Sequence, residues 1–153
     1  MSMKKIMLFS AILIIAISSL SMVSAGWFDS GVSVNGIDFN LPDGYKEANG
    51  NNYVDNYLSM GYKGESGVYE DGNGNTIWIS VLDKNSEGKT VSLGDMVVST
   101  TDFKNLKNTT ISGKTGTSYE YSSPTQKAFV YVEGDKLVDI RVPGSVNFED
   151  IIK

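Results

Sequence analysis

Apolar and polar positions alternate from Val32 to Leu41, with Val32, Val34, Ile37, Phe39 and Leu41 as the apolar set. Asn35-Gly36 breaks the alternation at its middle. A two-residue type I′ turn wants that dipeptide, because both of its central residues need φ > 0. Closing a hairpin there pairs Val34 with Ile37 and Val32 with Phe39, so four apolar side chains share one face and Leu41 follows two residues on. Pro42 then removes a ladder donor, and Asp43-Gly44 supplies the next turn.

Further along, Lys46 to Asn52 is polar and rich in Asn and Gly, which predicts a loop. Tyr53 to Tyr62 alternates as a strand does, and Ser66 to Glu70 continues or restarts it. Asp71-Gly72-Asn73-Gly74-Asn75 reads as a turn. Thr76 to Leu82 is the clearest single strand, with Ile77, Ile79 and Val81 on one face and Trp78 on the other. Apolar groups on both faces predict an interior strand covered on one side by a helix. That helix is expected from Ser92 to Leu106. Ser92 and Asp95 have capping-box spacing, and Leu93, Met96, Val97 and Thr100 recur at i, i+3, i+4 and i+7. Gly94 and the β-branched residues between Val97 and Thr101 oppose it.

Asn108–Ser112 and Thr115–Ser122 read as two strands around Gly113 and Gly116. Gln126–Glu133 and Lys136–Val142 form a second hairpin about Gly134-Asp135, ended by Pro143-Gly144. Ser145 to Lys153 predicts a short closing helix, with Asn147 as cap, Asp150 as its partner, and Phe148, Ile151 and Ile152 as its apolar stripe. Strands and helices are segregated along the chain. The expected fold is therefore α+β: an antiparallel sheet with one main helix and a short C-terminal helix packed on it.

The N-terminal segment changes the picture of where this domain works. Lys4 and Lys5 precede an almost wholly apolar run from Ile6 to Ile17, and Val23-Ser24-Ala25 precedes Gly26 as a signal-peptidase site does. Residues 1–25 read as a signal peptide and residues 26–153 as a single domain, secreted or held at the cell surface. The alternative is a retained membrane anchor, for which the strongly apolar run is short of the ~20 residues that a span needs. No Cys follows the run, which excludes lipoprotein attachment.

The whole chain has 13 Lys and Arg, 18 Asp and Glu, no His and no Cys. Cleavage after Ala25 removes Lys4 and Lys5 and takes the formal net charge from −5 to −7. An acidic exported domain with scattered basic residues is not built for nucleic acid, which needs clustered Lys and Arg. Without disulfides its stability must come from its core, and a domain of this size buries enough surface for that.

The run Gly36-Ile37-Asp38-Phe39-Asn40-Leu41-Pro42-Asp43-Gly44-Tyr45 resembles the opening of PsbP-like α/β/α sandwich domains and their DcrB-like relatives. Ile111-Ser112-Gly113-Lys114-Thr115-Gly116-Thr117 and the Val130-to-Ile140 hairpin extend the likeness. The longer wording Val34 to Glu47 is similar to small exported proteins of methanogenic archaea of unknown function. The resemblance implies a PsbP-like sandwich over residues 31–153 and the role of an accessory or binding subunit. The matching residues are turn and core positions, so it implies no site residues.

The inventory excludes most catalytic designs. Without His there is no Ser-His-Asp triad, and without His or Cys there is no thiol nucleophile and no ordinary zinc site. No phosphate-binding Gly-rich motif is present. Paired carboxylates remain open, because a glycosidase needs only two Asp or Glu roughly 5–10 Å apart. Yet Asp43, Asp71, Asp83 and Asp135 sit in turns, which Asp favours for its own reasons. Asp71-x-Asn73-x-Asn75 begins like a calcium loop, but Thr76 stands where that loop has Gly and Leu82 where it has Glu. A Gly/Asn-rich hairpin turn explains the same residues. Tyr45, Tyr53, Tyr57 and Tyr62 read either as a stacking surface for sugars or a partner, or as β-formers on a half-buried sheet. Asn108-Thr109-Thr110 is an N-glycosylation sequon.

These observations point to an exported, non-enzymatic binding or accessory module of the cell envelope. No catalytic, cofactor-binding or metal residue is assigned, and the expected partner is a protein or glycan at the cell surface. The alternatives are a carboxylate-based hydrolase of surface glycans and a calcium-responsive surface protein using Asp71, Asn73 and Asn75.

Overall fold

The computed structural model describes residues 31–48, 62–83, 103–121 and 125–153. They form nine strands: β1 (Gly31–Val34), β2 (Ile37–Asn40), β3 (Lys46–Glu47), β4 (Gly64–Glu70), β5 (Thr76–Leu82), β6 (Phe103–Ile111), β7 (Lys114–Tyr121), β8 (Gln126–Glu133) and β9 (Lys136–Pro143). A single 3₁₀ turn, Phe148–Asp150, follows. β1 and β2 make a two-stranded sheet of their own. The other seven form one sheet in the order β3-β4-β5-β9-β8-β7-β6, antiparallel at every pairing.

The turns follow from side-chain chemistry. Asn35 and Gly36 both have positive φ (46° and 78°), as do Ser112 and Gly113 (48° and 77°), which is the type I′ pattern matched to strand twist. Gly134 (φ 62°) opens the β8–β9 turn. Gly116 is required by close approach instead: a Cβ there would run into the carbonyl oxygen of Val130 on β8.

One face of the large sheet carries Ile77, Ile79 and Val81 of β5, Val138, Ile140 and Val142 of β9, and Phe129 and Tyr131 of β8. The β1–β2 hairpin closes over it with Val34, Phe39 and Leu41, joined by Val146, Phe148, Ile151 and Ile152 from the chain's end. Phe39 and Ile152 form an antiparallel bridge, and the Asn40 backbone N–H donates to the Ile151 carbonyl at 2.8 Å. Asn35 ties the hairpin's tip to the sheet. Its backbone N–H donates to Glu65 Oε2 (2.6 Å), and its amide donates to the Val81 carbonyl (3.1 Å) and to Asp83 Oδ1 (2.9 Å). Burying these apolar faces against one another is the main stabilisation of such layers.

The opposite face has a smaller buried cluster of Leu82, Tyr119, Ala128, Val130 and Leu137, with Tyr62, Phe103 and Tyr121 packed against it. Phe103, Tyr119 and Tyr121 meet edge to face, with ring centroids 4.6 to 5.5 Å apart. Asp139 is 1% exposed on this face, and Arg141 Nε and Nη2 donate to its Oδ2 at 3.0 and 2.8 Å.

The α+β expectation is corrected. Among the described residues the structure is strand, with no α-helix. The expected main helix, Ser92 to Leu106, lies outside the described residues up to position 102, and its last four residues belong to β6. Phe103 and Lys104 pair there with Tyr121 and Glu120. Ring packing and ladder bonds outweigh an i, i+3, i+4 pattern rich in weak helix formers. The closing helix is also corrected, to one 3₁₀ turn. Asn147 makes no side-chain capping bond, and Ile152 leaves the turn to bridge Phe39. The apolar stripe itself is as expected, with Phe148, Ile151 and Ile152 all buried. The expected strand from Tyr53 lies outside the described residues up to position 61.

Candidate functional site

Asp71, Asn73 and Asn75 do come together, but as a self-contained turn. Asp71 Oδ1 accepts the backbone N–H of Asn73 (2.8 Å) and of Asn75 (2.9 Å), while Oδ2 accepts the Asn75 side-chain amide (2.8 Å). Both carboxylate oxygens are thus turned onto N–H donors. These bonds, the Asn75 side chain's first, hold the Asp71 carboxyl below the usual carboxylate range. Among the described residues no cluster of three or more acidic side chains gathers where a metal ion would sit.

The other candidates are dispersed. Tyr45 packs against the main core and Tyr62 against the smaller cluster, whereas Tyr53 and Tyr57 lie outside the described residues. Trp78 is half-buried on β5. Asn108 is exposed on β6, an edge strand among the described residues, and its Oδ1 accepts the Thr117 hydroxyl at 3.0 Å. Asp83 accepts the Lys136 ammonium at 2.9 Å as well as the Asn35 amide. The Lys136 bond is the larger cause of its lowered pKa, with the Asn35 bond next.

A concave feature among the described residues lies elsewhere. Where β6, β7 and β8 run on beyond the hairpin, the 3₁₀ turn stands over the sheet and leaves a groove of about 300 Å³. Alternation on β6 sends Lys107, Thr109 and Ile111 to this face, and Ser118 and Glu120 arrive from β7. Lys127 comes from β8, and Phe148 and Glu149 from the turn. A bulge between Lys104 and Lys107 puts Asn105 in the left-handed region (φ 56°), from which its amide donates to Glu120 Oε2 at 2.9 Å. Lys127 Nζ stands 5.8 Å from the centre of the Phe148 ring. Among the described residues neither Lys107 nor Lys127 is in an ion pair, whereas Lys114, Lys136 and Arg141 each are. The groove therefore offers ammonium donors, hydroxyls and carboxylate acceptors beside an aromatic ring.

This groove is not visible in the sequence. Its residues come from Asn105 to Lys127 and from Phe148 and Glu149, and no local motif marks them. The available signal was the lysine spacing on β6, which makes sense only once the strand and its bulge are known. Asp139 and Arg141 do carry a sequence signal, since opposite charges at i and i+2 inside an apolar strand mark a side-by-side pair.

No protein-family model and no curated protein matches the chain. Among solved structures it is similar to the cyanobacterial PsbP (CyanoP) of Synechocystis sp. PCC 6803. That solution structure matches over 77% of this chain and 82% of that one, with 14% identity and a TM-score of 0.48. The function proposed for this chain rests on its own residues.

Proposed function

We propose that this protein is an exported, non-enzymatic binding module of the cell envelope, and that its ligand site is the groove between β6–β8 and the C-terminal turn. The groove carries the proposal: it is concave, it is walled by three strands and a tethered turn, and it presents polar groups of several kinds. Its volume falls at the low end of the range of about 300–1,000 Å³ usual for small-ligand sites. Export is supported by the signal-like segment at residues 1–25, which lies outside the described residues.

The test is cosedimentation of the purified protein with envelopes isolated from its host. Retention is expected, and loss of retention in Glu149→Arg, an exposed change that blocks the groove's mouth, with an unchanged melting temperature. Equal retention of the variant would sink the proposal.

One observation favours a second reading. Glu120 and Glu149 both line the groove, as the two carboxyls of a glycan hydrolase would. Release of new reducing ends from envelope glycans, abolished in Glu120→Gln or Glu149→Gln, would replace the first reading with this one.

A further inference from the structure

Glu120 and Lys127 lie directly opposite each other on β7 and β8. Opposite charges at such positions ordinarily meet. Here each is taken by a different neighbour. The β6 bulge turns Asn105 into the left-handed region and lays its amide on Glu120, while Lys127 rests over the Phe148 ring. Bulges commonly re-aim a side chain in this way beside binding sites. The result is a groove whose two ammonium groups, Lys107 and Lys127, face its space without a carboxylate partner among the described residues. Two carboxylates, Glu120 and Glu149, face the same space.

We propose that the groove recognises a carboxylate-bearing saccharide, a uronic acid in a glycan chain. This rests on reading the groove as a ligand site and names the ligand's chemistry. Lys107 and Lys127 hold the carboxylate through charge-assisted hydrogen bonds. Glu120 and Glu149 accept from ring hydroxyls, and the hydroxyls of Thr109 and Ser118 complete the lining. The balance of charge selects among anions. With Lys104 opposite Glu120 on β6, the basic groups around the groove exceed its two carboxylates by one, which suits a single negative charge flanked by neutral donors. A dianionic phosphate would meet Glu120 and Glu149 with twice the like charge of a carboxylate. An acidic peptide supplies the carboxylate with backbone N–H donors in place of ring hydroxyls, and it is the competing occupant in the titration.

The experiment is calorimetric titration of the purified protein with digalacturonate, digalactose and an aspartate tripeptide at equal concentrations. Digalacturonate is expected to bind at least about tenfold more tightly than either of the others, with affinity falling as salt is raised. Lys107→Gln, an exposed change, is expected to lose about tenfold for digalacturonate and nothing for digalactose. Lys127→Gln should behave alike, its fold checked by its urea midpoint. Equal binding of the acidic and neutral sugars would overturn the carboxylate assignment while leaving the groove as a saccharide site. Tighter binding of the peptide would overturn the saccharide assignment. Absence of binding to all three would overturn the inference. The reading beneath it would then stand or fall on the envelope cosedimentation, which uses none of these probes.

Discussion

Asn35 shows how one residue serves two levels of structure. Its left-handed backbone makes the turn, and its side chain and N–H fasten that turn to β4, to the end of β5 and to Asp83. Asn35→Ala should lower stability by about 2 kcal/mol, from lost side-chain bonds and a strained φ. Asn35→Gly keeps the turn and should cost about half of that. Urea midpoints of the two variants separate the contributions. Asp83 adds a pH dependence. Its folded pKa is depressed, by Lys136 first, so its stabilisation is present above the usual Asp pKa of about 3.9 and fades as pH falls through the lower folded value. Asp83→Asn should therefore lose less stability than the parent protein between about pH 5 and pH 3, measured by denaturant melts at each pH. The turn chemistry of Asn35-Gly36 and Asp71 to Asn75 was readable residue by residue, because such turns depend on local geometry, whereas the expected strand ran one residue too far into the Ser112-Gly113 turn. What Asn35 and Asp83 bond to was not, since their partners lie 30 to 53 residues away.

Elements were readable where period and turn agreed and misread where one pattern fitted two structures. β5 and the β8–β9 hairpin follow from period-two alternation. The segment ending at Leu106 fits a helical stripe on paper, yet Phe103 and Lys104 are held by β7 across the ladder. The chain's last residues make the same point. Phe148, Ile151 and Ile152 are buried as a helical stripe would be, but the single 3₁₀ turn delivers Ile152 to a bridge with Phe39. Ile151 is fully buried between the two layers. Ile151→Ala should cost about 2–4 kcal/mol by leaving a cavity there. Its Tm should fall accordingly, and hydrogen exchange should quicken at the Asn40 backbone N–H, which bonds to the Ile151 carbonyl.

At the scale of the molecule, the large sheet has two unlike faces. One is an apolar layer under the hairpin and the C-terminal turn, with the groove where that cover ends. The other mixes aromatic rings with a buried carboxylate. Arg141 bonds Asp139 through two nitrogens and lies 5.7 Å from the centre of the Tyr121 ring. Arg141→Met keeps the packing stem but leaves the Asp139 charge without its guanidinium. A loss of about 3 kcal/mol is expected, measured by chemical denaturation, since removing one member of a buried pair costs more than the pair contributes. Tyr119, on the same face, is held neutral by burial first and by the Asp139 charge next. Tyrosine absorbance should show a fraction of the phenols that titrates only on unfolding in alkali.

Legible in the chain alone were the Asn35-Gly36 and Asp71–Asn75 turns, the alternating faces of β1–β2 and β5, the apolar residues at the chain's end and the acidic, cysteine- and histidine-free inventory. These depend on φ preferences, on the two-residue period and on composition, all of which act within a few positions. Folding in three dimensions was needed to place β9 beside β5 and β6 at an edge, to bury Asp139 with Arg141, and to bring Lys107, Lys127, Glu120 and Glu149 to one groove. Those outcomes depend on which strands pair and how a bulge shifts their register. Pairing and register are set by burial summed over the whole sheet.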